Sequence, residues 1–153
     1  QKLFGNEIKF SIATSFNQHT YDKFSYVYFS KTAFKNVEVD VKGNKVALAP
    51  DYTVHIGMDY SPSWLSGFTT SLDLNGIGPY YTDETNTNRY QGHYLLNLRL
   101  NYKASDQFNY YARIMNVLDQ HYSVYTSNQV GDEDIAYRPG TPRHYYVGLK
   151  LDF

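Results

Sequence analysis

The chain has 153 residues, a formal net charge of -1, no cysteine, and 18% aromatic residues, 17 of its side chains being tyrosine. Its length suits one domain with a sizeable core, and the near-zero charge, with no basic run or stripe, argues against a nucleic-acid partner. Absence of cysteine excludes disulfide staples and thiolate metal sites, and no run approaches the ~20 apolar residues of a membrane helix.

In chain order, the first periodic segment places Ile8, Phe10, Ile12, Thr14 and Phe16 on one face. A long connection, Tyr21 to Pro50, follows. Within it Val37, Val39 and Val41 alternate, and Gly43-Asn44 turns the chain towards Val46 and Leu48, which predicts a small projecting hairpin. The second segment shares Tyr52, Val54, Ile56, Met58 and Tyr60 on a face. A short polar turn, Ser61 to Gly67 with Pro62, leads to the third, with Phe68, Thr70, Leu72 and Leu74. A long connection, Gly76 to His93, then precedes the fourth, with Tyr94, Leu96, Leu98, Leu100 and Tyr102. The short turn Lys103 to Gln107 leads to the fifth, with Phe108, Tyr110, Ala112 and Ile114. A last long connection, Asn116 to Pro142, precedes Arg143 to Phe153, where Tyr145, Val147, Leu149, Leu151 and Phe153 share a face. No segment of about ten or more residues has a 3.6 period. The chain is all-β.

Strands of about 9–11 residues that alternate apolar and polar are what an outer-membrane β-barrel requires. Long connections alternate with short ones, so one end is elaborated and the other trimmed, as extracellular loops and periplasmic turns are. A mean hydropathy of -0.55 does not oppose this, because half of each barrel strand is polar. Tyr52 and Tyr60, Tyr94 and Tyr102, and Tyr145 and Phe153 are eight apart on the apolar face. That is roughly 26 Å along a strand, or about 20 Å of height when tilted, close to the ~25 Å band between aromatic girdles. A soluble lipid-binding barrel, with its apolar face inward, has no reason to place aromatics at both rims. The expected fold is an antiparallel transmembrane β-barrel segment of about six to eight strands in the bacterial outer membrane, in contact with its lipids.

Chemistry-bearing residues are few. No nucleophile elbow and no His pair at ligand spacing is present, so neither an enzyme nor a cofactor is expected. His19, His55, His93, His121 and His144 lie on different segments, and no metal site is expected of them. Asp132-Glu133-Asp134 could offer Ca²⁺ hard oxygen ligands, but a solvated acidic loop tip is the simpler reading. By the alternation His55, Arg99, Arg113, His144 and Lys150 are expected to face the lumen, where they steer an anionic ligand or face water. Tyr80, Tyr81, Tyr90 and Tyr125 lie in the long loops, where aromatics either stack on a small-molecule ligand or anchor loops to each other.

Asn116-Val117-Leu118-Asp119-Gln120-His121-Tyr122, then Tyr137-Arg138-Pro139-Gly140-Thr141-Pro142-Arg143, then a last strand ending in Phe153 resemble the end of a TonB-dependent outer-membrane receptor. Asn97 to Tyr102 and Tyr81-Thr82-Asp83 are similar to the preceding strand and loop of such receptors. The resemblance covers roughly residues 50 to 153; Gln120-His121 departs from it, and the first loop does not match. It implies active uptake of a scarce ligand, most often a ferric siderophore, with haem, cobalamin and glycans as other classes. It implies an amino-terminal plug and a TonB-contacting segment, both expected to be absent from this chain, and contact of Arg99, Arg113 and Lys150 with acidic groups of that plug as the favoured role of these lumen-facing cations. It also implies that Tyr145, Val147, Leu149, Leu151 and Phe153 form the signal read by the barrel assembly machinery, and that the last strand pairs with the barrel's first.

Six strands cannot close a barrel whose bacterial minimum is about eight, and plugged transporters have about 22 strands. Residues 1–153 are therefore expected to be the carboxyl-terminal part of a larger receptor barrel. The chain starts at Gln1 without an initiator Met or signal peptide, as a processed product or a piece would. The competing expectation is a self-contained barrel of about eight strands, an adhesin or structural protein. In it the hairpin around Gly43-Asn44 supplies the two missing strands.

Overall fold

The computed structural model describes residues 2–4, 7–30, 33–128 and 135–153, and their regular structure is entirely extended. Strands β1 (Lys2–Phe4), β2 (Ile8–Phe16), β5 (Tyr52–Tyr60), β6 (Phe68–Ile77), β9 (His93–Lys103), β10 (Phe108–Met115) and β13 (His144–Leu151) form one antiparallel sheet in that order. Each long connection carries a separate two-stranded hairpin: β3 (Ser25–Ser30) with β4 (Lys35–Asp40), β7 (Tyr80–Tyr81) with β8 (Arg89–Tyr90), and β11 (Ser123–Ser127) with β12 (Ala136–Pro139). Among the described residues β1 and β13 are the two edges and the sheet does not close. β1 pairs only with the foot of β2, through Lys2↔Lys9 and Phe4↔Ile8, so most of the outer edge of β2 is open.

The register joins like to like. Ile12 opposes Ile56, which opposes Leu74, which opposes Leu96; Leu72 opposes Leu98, which opposes Ile114, which opposes Tyr145. A slip of one residue would put every one of these side chains on the polar face. The sheet is a single layer, so its apolar face has no protein cover: Val147 is 86% and Phe16 78% exposed. Only Val41 and Tyr80 are buried apolar residues among those described. A face of this extent needs a hydrocarbon neighbour rather than water.

At the loop end the aromatic girdle is built over glycine. Tyr52 and Tyr94 flank β6, and their hydroxyls meet at 2.6 Å. A Cβ on Gly76 would come within 2.5 Å of the Tyr94 ring, and one on Gly78 within 2.7 Å of the Tyr52 ring. The two rings therefore lie flat across a strip of backbone that only glycine leaves bare.

The first long loop differs from expectation. Val37 and Val39 pair with Tyr28 and Tyr26, not with Val46 and Leu48. Leu48 takes φ +61°, which no strand accommodates, and its N–H is drawn to Tyr81 O at 2.8 Å. Gly43-Asn44 does turn the chain, with Gly43 at φ +81°, but it folds the loop back on Tyr21. The β3–β4 hairpin stays outside the main sheet, so it supplies no strands to a small barrel.

Candidate functional site

Connections 61–67 and 104–107 lie at one end of the sheet, and 17–51, 78–92 and 116–143 at the other. The three long loops are tied together there. Lys45 N–H donates to Asn86 Oδ1 at 2.7 Å, and Asn86 Nδ2 returns a bond to Lys45 O at 2.9 Å. Asp51 N–H donates to Pro79 O, and Asn128 N–H donates to Thr82 O. The Asp51 carboxylate takes Lys45 Nζ and, at 2.8 Å, Arg89. The hydrogen bond from Lys45 above all holds this carboxyl below the usual range. Asp83 is wholly buried and opposes that burial with bonds from the Thr85 hydroxyl and the Thr87 and Asn88 N–H groups. Burial pushes its pKa up, but these donors outweigh it, and the carboxyl ionises below its usual range. The run Asp83 to Asn88 folds this way because short polar side chains bond their own backbone, and Asn86, at φ +58°, tolerates the left-handed region.

Tyr80, Tyr90 and Tyr125, from different stretches of loop, line one cleft of about 180 Å³ with Leu48, Pro50, Ile77, His93, Ser123 and Val124. All three loops contribute. Tyr90 is the hub. Its hydroxyl is 2.9 Å from His93 Nδ1 and accepts Ser123 N–H at 3.2 Å, and its ring lies 5.2 Å from Tyr80. Tyr80 and Tyr90 thus anchor loops as well as line the cleft, whereas Tyr125 is exposed. Tyr81 lies outside it under Arg89, whose Cζ is 5.6 Å from the ring. His93, buried at the first residue of β9, stands in the sequence only as one of five scattered histidines and not as a cleft residue; its place beside girdle residue Tyr94 on the opposite parity is the signal that marks it.

The last loop is clasped at its base by Asn116, at φ +53°. Its Nδ2 donates to Gln120 O at 2.9 Å and Thr141 O at 3.3 Å, and its Oδ1 accepts Gln120 N–H at 2.9 Å. Its own N–H reaches Asn97 Oδ1 at 3.0 Å. Asp119 Oδ1 accepts Arg143 N–H at 2.8 Å, and the Arg143 side chain donates to Val117 O. The Tyr122 ring covers Gly140 and stands 4.6 Å from His93. These bonds join Asn116 to Tyr122 with Pro139 to Arg143 as the two ends of one loop. Asp132-Glu133-Asp134 lie outside the described residues.

Below the loops, the polar face of the sheet carries the expected lumen set. His55 Nδ1 meets Asn75 Oδ1 at 2.9 Å, Arg99 pairs with Asp73 at 2.7 Å, and Lys150 with Asp152 at 2.7 Å. Arg113 instead lies over the Tyr111 ring at 5.4 Å, and His144 Nδ1 donates to Pro142 O at 2.8 Å. Tyr145, Val147, Leu149 and Leu151 lie on the apolar face of edge strand β13, with Phe153 just past its end. Among the described residues no group of three His, Asp or Glu side chains is placed to hold a metal.

A family model described as "TonB dependent receptor-like, beta-barrel" matches residues 1–117. It takes in the first loop that the sequence resemblance left unmatched, and it stops before the Pro139 to Arg143 motif. No curated protein sequence matches the chain. Among solved structures, the ferric yersiniabactin uptake receptor FyuA from Yersinia pestis is similar over 98% of this chain and 22% of its own, at 18% identity and a TM-score of 0.70. The siderophore receptor PiuA from Acinetobacter baumannii is similar over 95% of this chain and 20% of its own, at 13% identity and a TM-score of 0.74. FpvA of P. aeruginosa, solved with a pyoverdine–iron complex, is similar over 99% and 18%, at 14% identity and a TM-score of 0.65. The chain spans about a fifth of these receptors. It belongs to the TonB-dependent receptor-like β-barrel family, whose members are outer-membrane proteins of Gram-negative bacteria.

Proposed function

We propose that this chain is the carboxyl-terminal part of a plugged receptor of about 22 strands that imports a ferric siderophore by TonB-dependent active transport. The observation that carries the reading is the junction of all three long loops around the Tyr80, Tyr90 and Tyr125 cleft, above a polar wall and inside a lipid-facing girdle. That arrangement offers an external capture surface leading into a hydrophilic lumen. The siderophore class draws support from the similar structures, which are siderophore receptors by their descriptions. Haem, cobalamin and glycans are the competing cargoes.

In this reading Tyr125 contacts cargo directly, with Tyr80, Tyr81 and Tyr90 holding the loops in position. His55, Arg99 and Lys150 form the wall against which the plug sits, and Arg113 and His144 stand above it towards the mouth of the lumen. The TonB complex acts through the plug, and the outward face of β13 with Phe153 is the recognition surface for the barrel assembly machinery. Iron uptake by cells relying on the intact receptor tests the proposal, using radiolabelled ferric chelates of several classes. Transport of at least one ferric siderophore, reduced tenfold or more by Val124→Trp in the cleft, is expected. Tight oligosaccharide binding with no siderophore transport would overturn it.

A further inference from the structure

Among the lumen-facing arginines and lysines named above, Arg99 and Lys150 have carboxylate partners, and Arg113 has none among the described residues. It lies instead in a concavity of about 340 Å³ with Tyr111, Met115, His144 and Tyr146, inside the range of small-molecule sites. Arg113 opposes Tyr146, and Met115 opposes His144, on either side of the Ile114–Tyr145 pair. The concavity is therefore level with Tyr145 of the loop-end girdle, at the mouth of the lumen and not deep within it.

The chemistry of the lining is specific. Arg113 presents a planar fork of donors, suited to a carboxylate. His144 is held in place by its Nδ1–H bond to Pro142 O, a group that only accepts. The His144 and Tyr146 rings meet edge-on at 5.2 Å, and the Tyr111 ring is laid flat over Gly148, where a Cβ would come within 2.2 Å of it. Among the described residues the lining contains no acidic side chain.

We propose that Arg113, with Tyr111, His144 and Tyr146, is a receptor for a carboxylate carried on a flat ring of the imported molecule. The guanidinium takes the carboxylate, and the two tyrosines flank the ring. The proposal rests on the uptake reading and names the cargo chemistry it favours. A plug carboxylate would meet Arg113 equally well as a charge, but it would need neither the height at the mouth nor the aromatic walls.

The test uses the intact receptor in detergent micelles, with 4-fluorobenzoate and its neutral counterpart 4-fluorobenzamide as probes followed by fluorine NMR. Benzoate is expected to bind at least tenfold more tightly than benzamide. Arg113→Gln should abolish that preference, Arg113→Lys should restore part of it, and Lys150→Gln should leave it intact. Equal binding of both probes, or a preference that survives Arg113→Gln, would overturn the assignment. So would an Arg113→Gln receptor that keeps the preference but releases its plug more readily to protease, which would give Arg113 to the plug. Ferric-chelate uptake by the same receptor separates the two readings: a benzoate preference without siderophore transport removes the siderophore and leaves the site.

Discussion

Replacing Asn116 by alanine should open the last long loop from its base. Asn116 is almost wholly buried, and its amide closes a reciprocal pair with Gln120 while also reaching Thr141 O. Alanine removes all three bonds and leaves their partners in a partly buried site. Counting about 1 kcal/mol for each bond of the Gln120 pair and nothing for the longer bond to Thr141, the hydrogen-bond loss is about 2 kcal/mol. The position also sits at φ +53°, where alanine costs about 1 kcal/mol more. The total of about 3 kcal/mol corresponds to roughly a hundredfold rise in the opening equilibrium of residues 116–143. Hydrogen exchange of the intact receptor, read by mass spectrometry on peptides from 116–122 and 136–143, measures it. Asn116→Gly keeps the backbone conformation free of strain and should lose only the hydrogen-bond share, a change of roughly thirtyfold. A change below about fivefold in the alanine variant would refute the clasp. So would equal acceleration in β5 and β6, which would mean that the whole barrel had loosened.

Three further outcomes follow from other parts of the molecule. Gly92, at φ +83°, would place a Cβ 2.2 Å from Ile77 O, so Gly92→Ala should lower the yield of heat-modifiable receptor on cold gels, whereas Gly43→Ala, with the same positive φ but open space around it, should carry only the backbone strain of about 1 kcal/mol and lower the yield far less. Asp83 ionises below its ordinary 3.8 in the folded loop, so its contribution is full above that value and is lost as pH falls through the depressed folded value. Exchange protection of residues 82–88 should therefore collapse on acidification, and Asp83→Asn should start lower and lose most of that pH dependence. Leu98→Arg, at mid-strand on the lipid face between Leu72 and Ile114, should destabilise the barrel by about 2–4 kcal/mol in urea unfolding. Asn101→Arg on the lumen face of the same strand should change it far less.

The sequence alone determined the six long strands, their inward and outward faces, the alternation of short and long connections, and the two aromatic rims. These are legible because one face must meet hydrocarbon: a period-2 pattern then carries the register, and every pair such as Ile56↔Leu74 or Leu98↔Ile114 is written in residue type. The loops obey no such period. Val37, Val39 and Val41 are equally compatible with strands on either side, and the choice of Tyr26 and Tyr28 over Val46 and Leu48 depended on Leu48 turning to φ +61° to reach Tyr81. The cleft is of the same kind. Tyr80, Tyr90 and Tyr125 stand out as loop aromatics in sequence, but their meeting with Leu48, His93 and Val124 is fixed by hydrogen bonds between loops up to tens of residues apart. Which lumen cations remain available was likewise undecidable from residue type: Arg99 and Arg113 are both arginines on the polar face, and only the fold puts Asp73 beside one and Tyr111 beside the other.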